Sequence, residues 1–346
     1  MPVDVNRPGP WTHRNLTARG TRFHVALAGP EAPAGAGPLT LLVHGFPECW
    51  WTWRHVIPAL AQAGHRVAAL DLRGFGGSDR PPSGYDLVTL AQDLAAVVRS
   101  LGHERAVVVG AGLGGQVAWT LPSLAPDLTT AIVPVGAPHP LALRSLRARA
   151  LSGPALQYAS LRIPGLAERR LRSRSALEGL LRSWAGPHTR EALAEEAPYY
   201  AELLSRPGAA RSALEPLRNL VLSRAETAAL DKPVAVPVLS VQGELDPVQP
   251  AQAYARDTHH VAGNLRQVTV HRSGHFPQEE TPAGFVRALL PFLADVAGKP
   301  VYVVPQTQNP GVVWLGWNTQ DPAVTATIDR GLTMRVGPVS GPGRAW

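Results

Sequence analysis

The strongest constraint on the fold is an alternation of short apolar runs with helical stretches along residues 1–140. The predicted strands are 21–28, 39–43, 66–71, 106–109 and 130–135, and the predicted helices are 55–63, 87–101 and 114–124. Several of these strands are apolar along their whole length, which is typical of strands buried on both faces. Helices between such strands predict an α/β fold with a mostly parallel sheet covered on both sides.

Residues 141–230 interrupt this alternation, because they carry helical patterns and no strand candidate. The β/α pattern then resumes, with strands at 236–241 and 266–270 and with helical patterns at 252–256 and 282–293. We therefore expect one α/β domain made of residues 1–140 and 231–298, with a helical cap inserted at 141–230.

The last segment, 299–346, changes character again and predicts a separate β-rich appendage. Its short β runs lie among Pro, Gly, Asn and Gln, at 301–304, 312–314, 323–328 and 332–336. Residues 301–319 resemble a short module of actinobacterial surface-anchored proteins. An unrelated β extension that packs on the core fits the same residues, so both interpretations stay open.

The net charge of +7 invites a nucleic-acid interpretation, but the position of the charge favours another one. Residues 141–230 hold 14 Arg against 8 Asp and Glu, so nearly all of the surplus falls in the predicted cap. There Arg alternates with Leu and Ala, which is the pattern of amphipathic helices with solvated faces. No nucleic-acid recognition motif accompanies the charge, and we expect no nucleic-acid partner.

Composition excludes further classes of protein. A single cysteine, Cys49, rules out a disulfide scaffold and a cysteine zinc site. No apolar run reaches the roughly 18–20 residues that a membrane span needs. Residues 1–16 lack the apolar segment of a secretory signal, so we expect a cytoplasmic protein. No metal or organic cofactor is indicated.

A loop of the sequence His44-Gly45-Phe46-Pro47-Glu48 follows the apolar strand at 39–43. A glycine there allows a tight turn, and a free N–H in such a loop can receive negative charge from a transition state. Three further motifs accompany the loop: WTWR at 51–54, DLRGFGGSD at 71–79 and APHP at 137–140.

With these motifs the chain resembles the α/β-hydrolase family, and within it the epoxide hydrolases and haloalkane dehalogenases. The resemblance covers residues 11–298. It implies a mostly parallel eight-stranded sheet, a helical cap over the carboxyl ends of the strands, and a small apolar molecule bound beneath the cap.

The family's nucleophile elbow, a glycine-flanked nucleophile between strand and helix, matches the run GAGLGG at 110–115. The resemblance places Gly112 at the nucleophile position, where epoxide hydrolases carry Asp and esterases carry Ser. Glycine has no side chain, so it cannot form the covalent intermediate. The resemblance also implies that the backbone N–H groups of Phe46 and Leu113 are the donors of the oxyanion hole. Cys49 is not placed to replace the nucleophile.

The same glycines also match the dinucleotide-binding pattern GxGxxG, through Gly110, Gly112 and Gly115. That motif needs an acidic residue at a strand end about 20 residues later. Asp127 lies at a suitable distance but in a loop next to Pro126, so dinucleotide binding is the less favoured interpretation.

Asp246 and His275 each follow a predicted strand, and the order elbow, acid, histidine matches that of α/β-hydrolases. A carboxylate on the histidine Nδ1 would orient the ring and leave Nε2 as a general base. The alternative is an ordinary loop aspartate and a buried histidine. The two positions together favour the dyad.

The resemblance also implies two cap tyrosines that protonate the opening epoxide. An alignment on 163–168 places the first at Ser160, with Tyr158 two residues away, and the second near Leu217. Tyr199 and Tyr200 are possible substitutes. A halide-binding Trp after the nucleophile is absent as well, since that position is Leu113.

Three hypotheses about function therefore remain. The chain is a hydrolase-family protein impaired in covalent hydrolysis that binds a small apolar ligand, or a non-covalent general-base enzyme that uses Asp246 and His275. The third hypothesis is a non-catalytic, surface-associated protein, as the tail suggests.

Overall fold

The structure is a computed structural model that describes residues 4–31, 37–144, 160–161, 163–218 and 222–297 and the backbone of 332–336. One nine-stranded sheet runs through it in the order β1-β2-β4-β3-β5-β6-β7-β8-β9. The strands are β1 Thr12–Ala18, β2 Thr21–Ala28, β3 Leu39–Val43, β4 Val67–Leu70, β5 Ala106–Ala111, β6 Thr129–Val135, β7 Val238–Gly243, β8 Leu265–Val270 and β9 Leu332–Val336. Strands β3 to β8 pair in parallel, whereas β1, β2 and β9 join antiparallel.

Helices connect these strands and cover the sheet. They are α1 Ile57–Gln62, α2 Leu87–Ser100, α3 Leu113–Leu124, α4 Leu166–Arg172, α5 Arg174–Trp184, α6 Arg190–Ala194, α7 Ala197–Ser205, α8 Ala209–Arg218, α9 Arg224–Leu230, α10 Ala251–Tyr254, α11 Pro277–Glu280 and α12 Pro282–Val296. Three short 3₁₀ turns add to these, at Trp50–Trp53, Pro140–Arg144 and Asp257–His260.

The predicted mostly parallel sheet of eight strands is confirmed, and β9 extends it. Every residue of β3 and β5 is buried, as expected of strands with helices on both faces. Most predicted strands and helices begin and end within about two residues of the observed bounds. Of the predicted tail runs, 332–336 forms β9, and 301–304, 312–314 and 323–328 lie outside the described residues.

Strand β1 was missing from the sequence-based prediction, which begins its first strand at residue 21. It pairs with β2 along its whole length at the edge of the sheet. Only Leu16 and Ala18 in it are buried, so a polar edge strand carries too little apolar pattern to be recognised.

The part of 141–230 that the structure describes is helical, from α4 to α9. Most of its arginines are exposed. Arg174, with its side chain 70% exposed, pairs with Glu178 at 2.9 Å. Arg182 pairs with Glu191 at 2.9 Å in the same way. The solvated helical faces expected from the sequence therefore account for these charges. Within the described ranges, no helix is both long and apolar enough to cross a membrane.

Candidate active site

The chain turns sharply at Gly112, between the end of β5 and the start of α3. Gly112 has φ +47° and ψ −110°, a conformation that side chains rarely adopt. A Cβ on three neighbouring glycines would collide with nearby atoms. At Gly110 it would meet the backbone of Gly114, at Gly114 the backbone of Val43, and at Gly115 the side chain of Ala137. The glycine run is therefore explained by the close crossing of strand and helix, without a dinucleotide.

A side chain at Gly112 would enter open space that faces a histidine. An ideal Cβ there lies 3.6 Å from Nε2 of His275 and 3.7 Å from Cα of Gly45. Among the described residues outside its chain neighbours, no other heavy atom comes within 4 Å of it. A side chain at position 112 would therefore point toward the ring of His275.

Asp246 and His275 are brought together as the sequence predicts. Nδ1 of His275 lies 3.0 and 3.2 Å from the two carboxylate oxygens of Asp246. Oδ1 of Asp246 also accepts from the backbone N–H groups of Val248 and Gln249, at 2.8 and 3.1 Å. Nδ1 of His275 therefore faces the carboxylate, and Nε2, the other ring nitrogen, faces Gly112.

The loop that carries His275 is tied to the cap through a buried carboxylate, Glu280. Its oxygens accept from the backbone N–H groups of Gly274 at 2.8 Å and Phe276 at 2.9 Å, on both sides of the histidine. They also accept from the N–H of Gly186 at 2.7 Å and from the hydroxyl of Thr189 at 2.6 Å. One side chain therefore fixes the histidine loop and the segment after α5 to each other.

Trp184, the last residue of α5, forms a second link between the cap and His275. The backbone N–H of His275 donates to the carbonyl of Trp184 at 2.9 Å. The two rings meet edge to face, with centroids 5.6 Å apart. On its other side the indole lies 6.3 Å from the ring of Phe46. The histidine therefore stands in an aromatic surrounding that neither motif indicated.

Of the two predicted oxyanion residues, Leu113 follows Gly112 in the chain and Phe46 follows Gly45, whose Cα lies 3.7 Å from a Cβ at position 112. Phe46 is buried directly after Gly45, and its peptide bond to Pro47 is cis. Leu113 is the first residue of α3, whose first turn holds no acidic residue and whose N-terminus has no side-chain cap. The first N–H groups of a helix have no intrahelical acceptor, so this end of α3 offers donors.

His44, which begins the same loop, uses both ring nitrogens within the backbone. Its Nδ1 lies 2.7 Å from the carbonyl of Gly45, and its Nε2 accepts from the N–H of Leu72 at 3.1 Å. Burial lowers its pKa, which keeps the ring neutral. His44 therefore holds the loop in shape and has no nitrogen left for a ligand.

Glu48, the last residue of the loop motif, is a buried carboxyl. Burial and the nearby charge of Glu279 raise its pKa to about 8, so it is protonated at neutral pH. The hydroxyl of Thr52 donates to it at 2.6 Å, and the side-chain amide of Gln278 lies 3.4 Å away.

The two described positions that the alignment assigns to the ring-opening acids carry no tyrosine. The hydroxyl of Ser160 accepts from Arg170 at 2.8 Å, and Leu217 is a buried apolar residue of α8. Tyr158 lies outside the described residues. Neither described position therefore carries a phenol that could protonate an opening epoxide.

Tyr199 and Tyr200, the possible substitutes, point to the boundary between α7 and the core. The hydroxyl of Tyr200 lies 3.2 Å from the carboxylate of Glu279. The ring of Tyr199 packs edge to face on Trp51 at 6.0 Å.

Burial and neighbouring acidic groups raise the pKa of the Cys49 thiol well above its usual value, so Cys49 is not a nucleophile either.

A second aspartate–histidine pair, not recognised in the sequence, lies under β1 and β2. Nδ1 of His24 is 2.8 Å from Oδ2 of Asp71, and Nε2 of His24 is 3.0 Å from Nδ1 of His13. Asp71 also accepts from the backbone N–H groups of Trp50 and Gly77, both at 2.8 Å. Burial opposes ionisation of Asp71, but the hydrogen bond and charge of His24 outweigh it and lower its pKa.

The chain is similar to known proteins in both sequence and structure. The family model for the alpha/beta hydrolase fold matches residues 38–282. Epoxide hydrolase A of Mycobacterium tuberculosis is 32% identical over 319 residues, which cover 82% of this chain and 97% of that protein. Epoxide hydrolase B of the same organism is 47% identical over 128 residues, and this match spans only 36% of this chain and 35% of that protein.

The solved structures agree with the sequence matches. An epoxide hydrolase from an endophytic Streptomyces superposes with a TM-score of 0.69 at 28% identity, covering 84% of this chain and 98% of that one. The resemblance expected from the motifs is thereby confirmed: the chain belongs to the α/β-hydrolase family and is epoxide hydrolase-like.

Proposed function

We propose that this protein is an epoxide hydrolase-like member of its family in which Gly112 occupies the nucleophile position, so that covalent hydrolysis is impaired or lost. It then holds a small apolar ligand beneath the helical cap. The observation that carries the proposal is the direction of the missing side chain, whose Cβ would lie 3.6 Å from Nε2 of His275. A glycine at that point removes the bond-forming atom while the histidine stays in place.

In this proposal the remaining residues keep separate roles. Asp246 orients His275, His275 is the base, and the backbone N–H groups of Phe46 and Leu113 are the oxyanion donors. The described positions for ring-opening acids are Ser160 and Leu217, which weakens epoxide opening further. No metal or organic cofactor takes part. The division into core residues 1–140 and 231–298, cap 141–230 and tail 299–346 is also part of the proposal.

The decisive experiment restores the nucleophile. Gly112→Asp is incubated with styrene oxide, and intact-protein mass spectrometry looks for a covalent hydroxyalkyl adduct. Gly112→Asn is the matched control, because it has the same size and the same backbone strain but a poorly nucleophilic amide. We expect the adduct in the Asp variant, and none in the Asn variant or the wild type. A folded Gly112→Asp variant that gives neither adduct nor diol would contradict the assignment of position 112.

A second candidate function is non-covalent general-base catalysis. Its support is the lone pair of His275 Nε2, which Asp246 orients toward open space beside Gly112. The wild type would then hydrolyse an epoxide or ester with activity that His275→Gln abolishes and Gly112→Asn blocks. Turnover of this kind in the wild type would contradict the proposed loss of catalysis and establish the second candidate.

The surface-associated alternative depends on the tail. Limited proteolysis that releases a fragment near Lys299 would favour a separate module. Protection of that segment would favour a β extension that packs on the core.

A further inference from the structure

Residues 4–11, which we call the N-terminal strap, connect the start of β1 to helix α7. The guanidinium of Arg7 lies over the rings of Trp51 and Tyr199, 4.2 and 4.3 Å from their centroids. It also lies 3.4 Å from the carboxylate of Glu196, the residue before α7. The strap therefore holds α7 to the core through one cation between two aromatic rings.

The strap is tied in turn to the buried carboxylate of Asp71 by two histidines. The carbonyl of Arg7 lies 2.9 Å from Nε2 of His13, and Nδ1 of His13 lies 3.0 Å from Nε2 of His24. Nδ1 of His24 lies 2.8 Å from Oδ2 of Asp71. The two ring planes differ by 20° and the centroids are 5.1 Å apart, so the nitrogens meet at the facing edges of the rings. A chain of hydrogen bonds therefore runs from Asp71 to the strap.

This chain needs one proton more than two neutral histidines supply. Both of its ends are acceptors, because a carbonyl and an ionised carboxylate carry no hydrogen. Each of the three contacts needs a hydrogen, whereas two neutral imidazoles carry one N–H apiece. Without a further proton, one contact would set two lone pairs against each other. One extra proton gives every contact its hydrogen.

The surroundings favour His24 as the ring that carries this proton. Burial, and after it the charge of His24, lower the pKa of His13 against the opposing hydrogen bond to Arg7. Neutral His13 then accepts at Nδ1 and donates at Nε2. Burial raises the pKa of Asp71, but the hydrogen bond and charge of His24 outweigh it and keep the carboxyl ionised. An imidazolium of His24 between Asp71 and His13 satisfies the whole chain.

We propose that this proton is a pH switch that controls the attachment of the strap to α7. With the proton in place, all three hydrogen bonds form. When the chain loses it to the solvent as the pH rises, His24 keeps its N–H toward Asp71, because a carboxylate is the stronger acceptor. His13 then has one N–H for two acceptors, so the strap loses its bond at Arg7 or moves away from His24 together with His13. The switch does not depend on position 112 and goes beyond the proposed function.

The direction of the pH dependence follows from proton binding. Unfolded histidines lose their proton near pH 6.5, about the usual value. Above that pH the folded chain binds about one proton more than the unfolded chain. The attachment of the strap is therefore complete at low pH and weakens as the pH rises through the value at which the chain deprotonates.

Other titratable groups face this chain or the contact of Arg7 with α7, and the test has to separate them from the histidines. Burial lowers the pKa of His44 and raises that of Cys49, which keeps both neutral beside Asp71. Burial raises the pKa of Glu48 to about 8 and that of Glu279 to about 6. Further groups nearby are Asp4, Arg54, Arg80, Glu196, Tyr199 and Tyr200.

Hydrogen exchange of the full chain, followed by mass spectrometry from about pH 6.5 to about pH 9 and corrected for intrinsic exchange, tests the switch. We expect the protection of residues 4–14 to fall at least about tenfold over this range, and that of α7 to fall with it. His13→Gln places an amide that donates toward Arg7 without titrating, so its strap should show no pH dependence. His259→Gln, which changes an exposed histidine, is the matched control and should keep the wild-type profile.

Arg7→Leu separates the strap from α7, because it removes the guanidinium and keeps the backbone carbonyl. The strap of this variant should respond to pH as in the wild type. The part of the α7 response that His13→Gln removes should be absent here too. Any pH response of α7 common to both variants belongs to Glu48 and Glu279.

Nitrogen-15 NMR of the labelled histidines gives the protonation states of the wild type directly. Near neutral pH we expect hydrogens on both nitrogens of His24 and a bare Nδ1 in His13, assigned by the signals that His13→Gln removes and those that it shifts most. Thermal melting checks that the variants fold. A neutral His24 at that pH, a wild-type strap without pH dependence, or the same strap profile in His13→Gln would overturn the inference.

Discussion

The molecule holds two aspartate–histidine pairs of nearly the same geometry in very different surroundings. Asp246 and His275 are 3.0 Å apart beside Gly112, and Asp71 and His24 are 2.8 Å apart beneath β1 and β2. In both pairs Nδ1 faces the carboxylate. The pairs differ at the other nitrogen, which is unpaired among the described residues in His275 and bonded to His13 in His24.

This difference decides what each pair can do. A histidine whose Nε2 is open can change tautomer or take up a proton when a ligand arrives. In His24 both ring nitrogens already have partners, Asp71 and His13, and Nε2 of His13 in turn lies 2.9 Å from the carbonyl of Arg7. An aspartate–histidine hydrogen bond alone is therefore no sign of a catalytic site. The partner of the second nitrogen distinguishes a histidine bonded at both ring nitrogens from one with an open nitrogen.

The largest effect should come from removing the two carboxylate charges in turn. Asp71→Asn should destabilise the fold by about 3–5 kcal/mol, because a buried amide cannot accept from His24, Trp50 and Gly77 together. Asp246→Asn should cost less than about 1.5 kcal/mol, because His275 can switch tautomer. Urea unfolding measures both. Equal losses of stability would show that the second nitrogen does not separate the pairs.

Another buried histidine, His139, has no carboxylate on its ring and sharpens the contrast. Burial, then the charge of His260, lowers its pKa to about 3. The unfolded chain therefore takes up the proton first, and stability falls as the pH drops from 6.5 toward 3, by up to about 1.4 kcal/mol per unit.

His139→Phe keeps the ring volume and should flatten this pH dependence between pH 6.5 and 4.5, measured as free energy of unfolding. Asp257, whose pKa is raised by burial to about 7, acts in the opposite direction. It does so in both proteins, since it bonds to the backbone N–H of residue 139. Parallel pH profiles for wild type and variant would contradict the prediction.

The smallest effect concerns the backbone beside the reactive pair. Gly112→Ala should cost about 1–2 kcal/mol, because φ is +47° while space for the Cβ is open. The control is Gly179→Ala in α5, where a Cβ meets nothing within 4 Å and φ is not positive. That change should stabilise by about 0.5–1 kcal/mol. A neutral Gly112→Ala variant would mean that the turn relaxes, and it would weaken the comparison of the two sites.

Sequence reasoning identified the parts of the molecule that depend on local pattern. The buried strands, the turn at Gly112 and the positions of Asp246 and His275 after two of those strands follow from runs and motifs of a few residues. Strand β1 was missed because its inward face offers only Leu16 and Ala18. A pattern needs apolar contrast, and an edge strand provides little.

The contacts that hold the site together could not be read from the sequence. Glu280 bonds to Gly186 across 94 positions, and three of its four donors are backbone N–H groups, which every residue except proline carries. The pairing of Asp71 with His24 was missed for the same reason, since His24 and its partner His13 come from the β1–β2 hairpin, far from Asp71 in the sequence. Residues that meet in space but lie far apart in the sequence leave no motif.

The bonds of Glu280 also have a kinetic consequence. A hinge at the segment after α5 would have to break buried hydrogen bonds to Gly186 and Thr189, and would pull on the loop of His275. Opening motions that admit or release a ligand should therefore be rare where Glu280 contacts the segment after α5. They should occur where the cap makes fewer hydrogen bonds to the core. Glu280→Gln would then speed both association and dissociation of a ligand held beneath the cap, with little change in its equilibrium affinity.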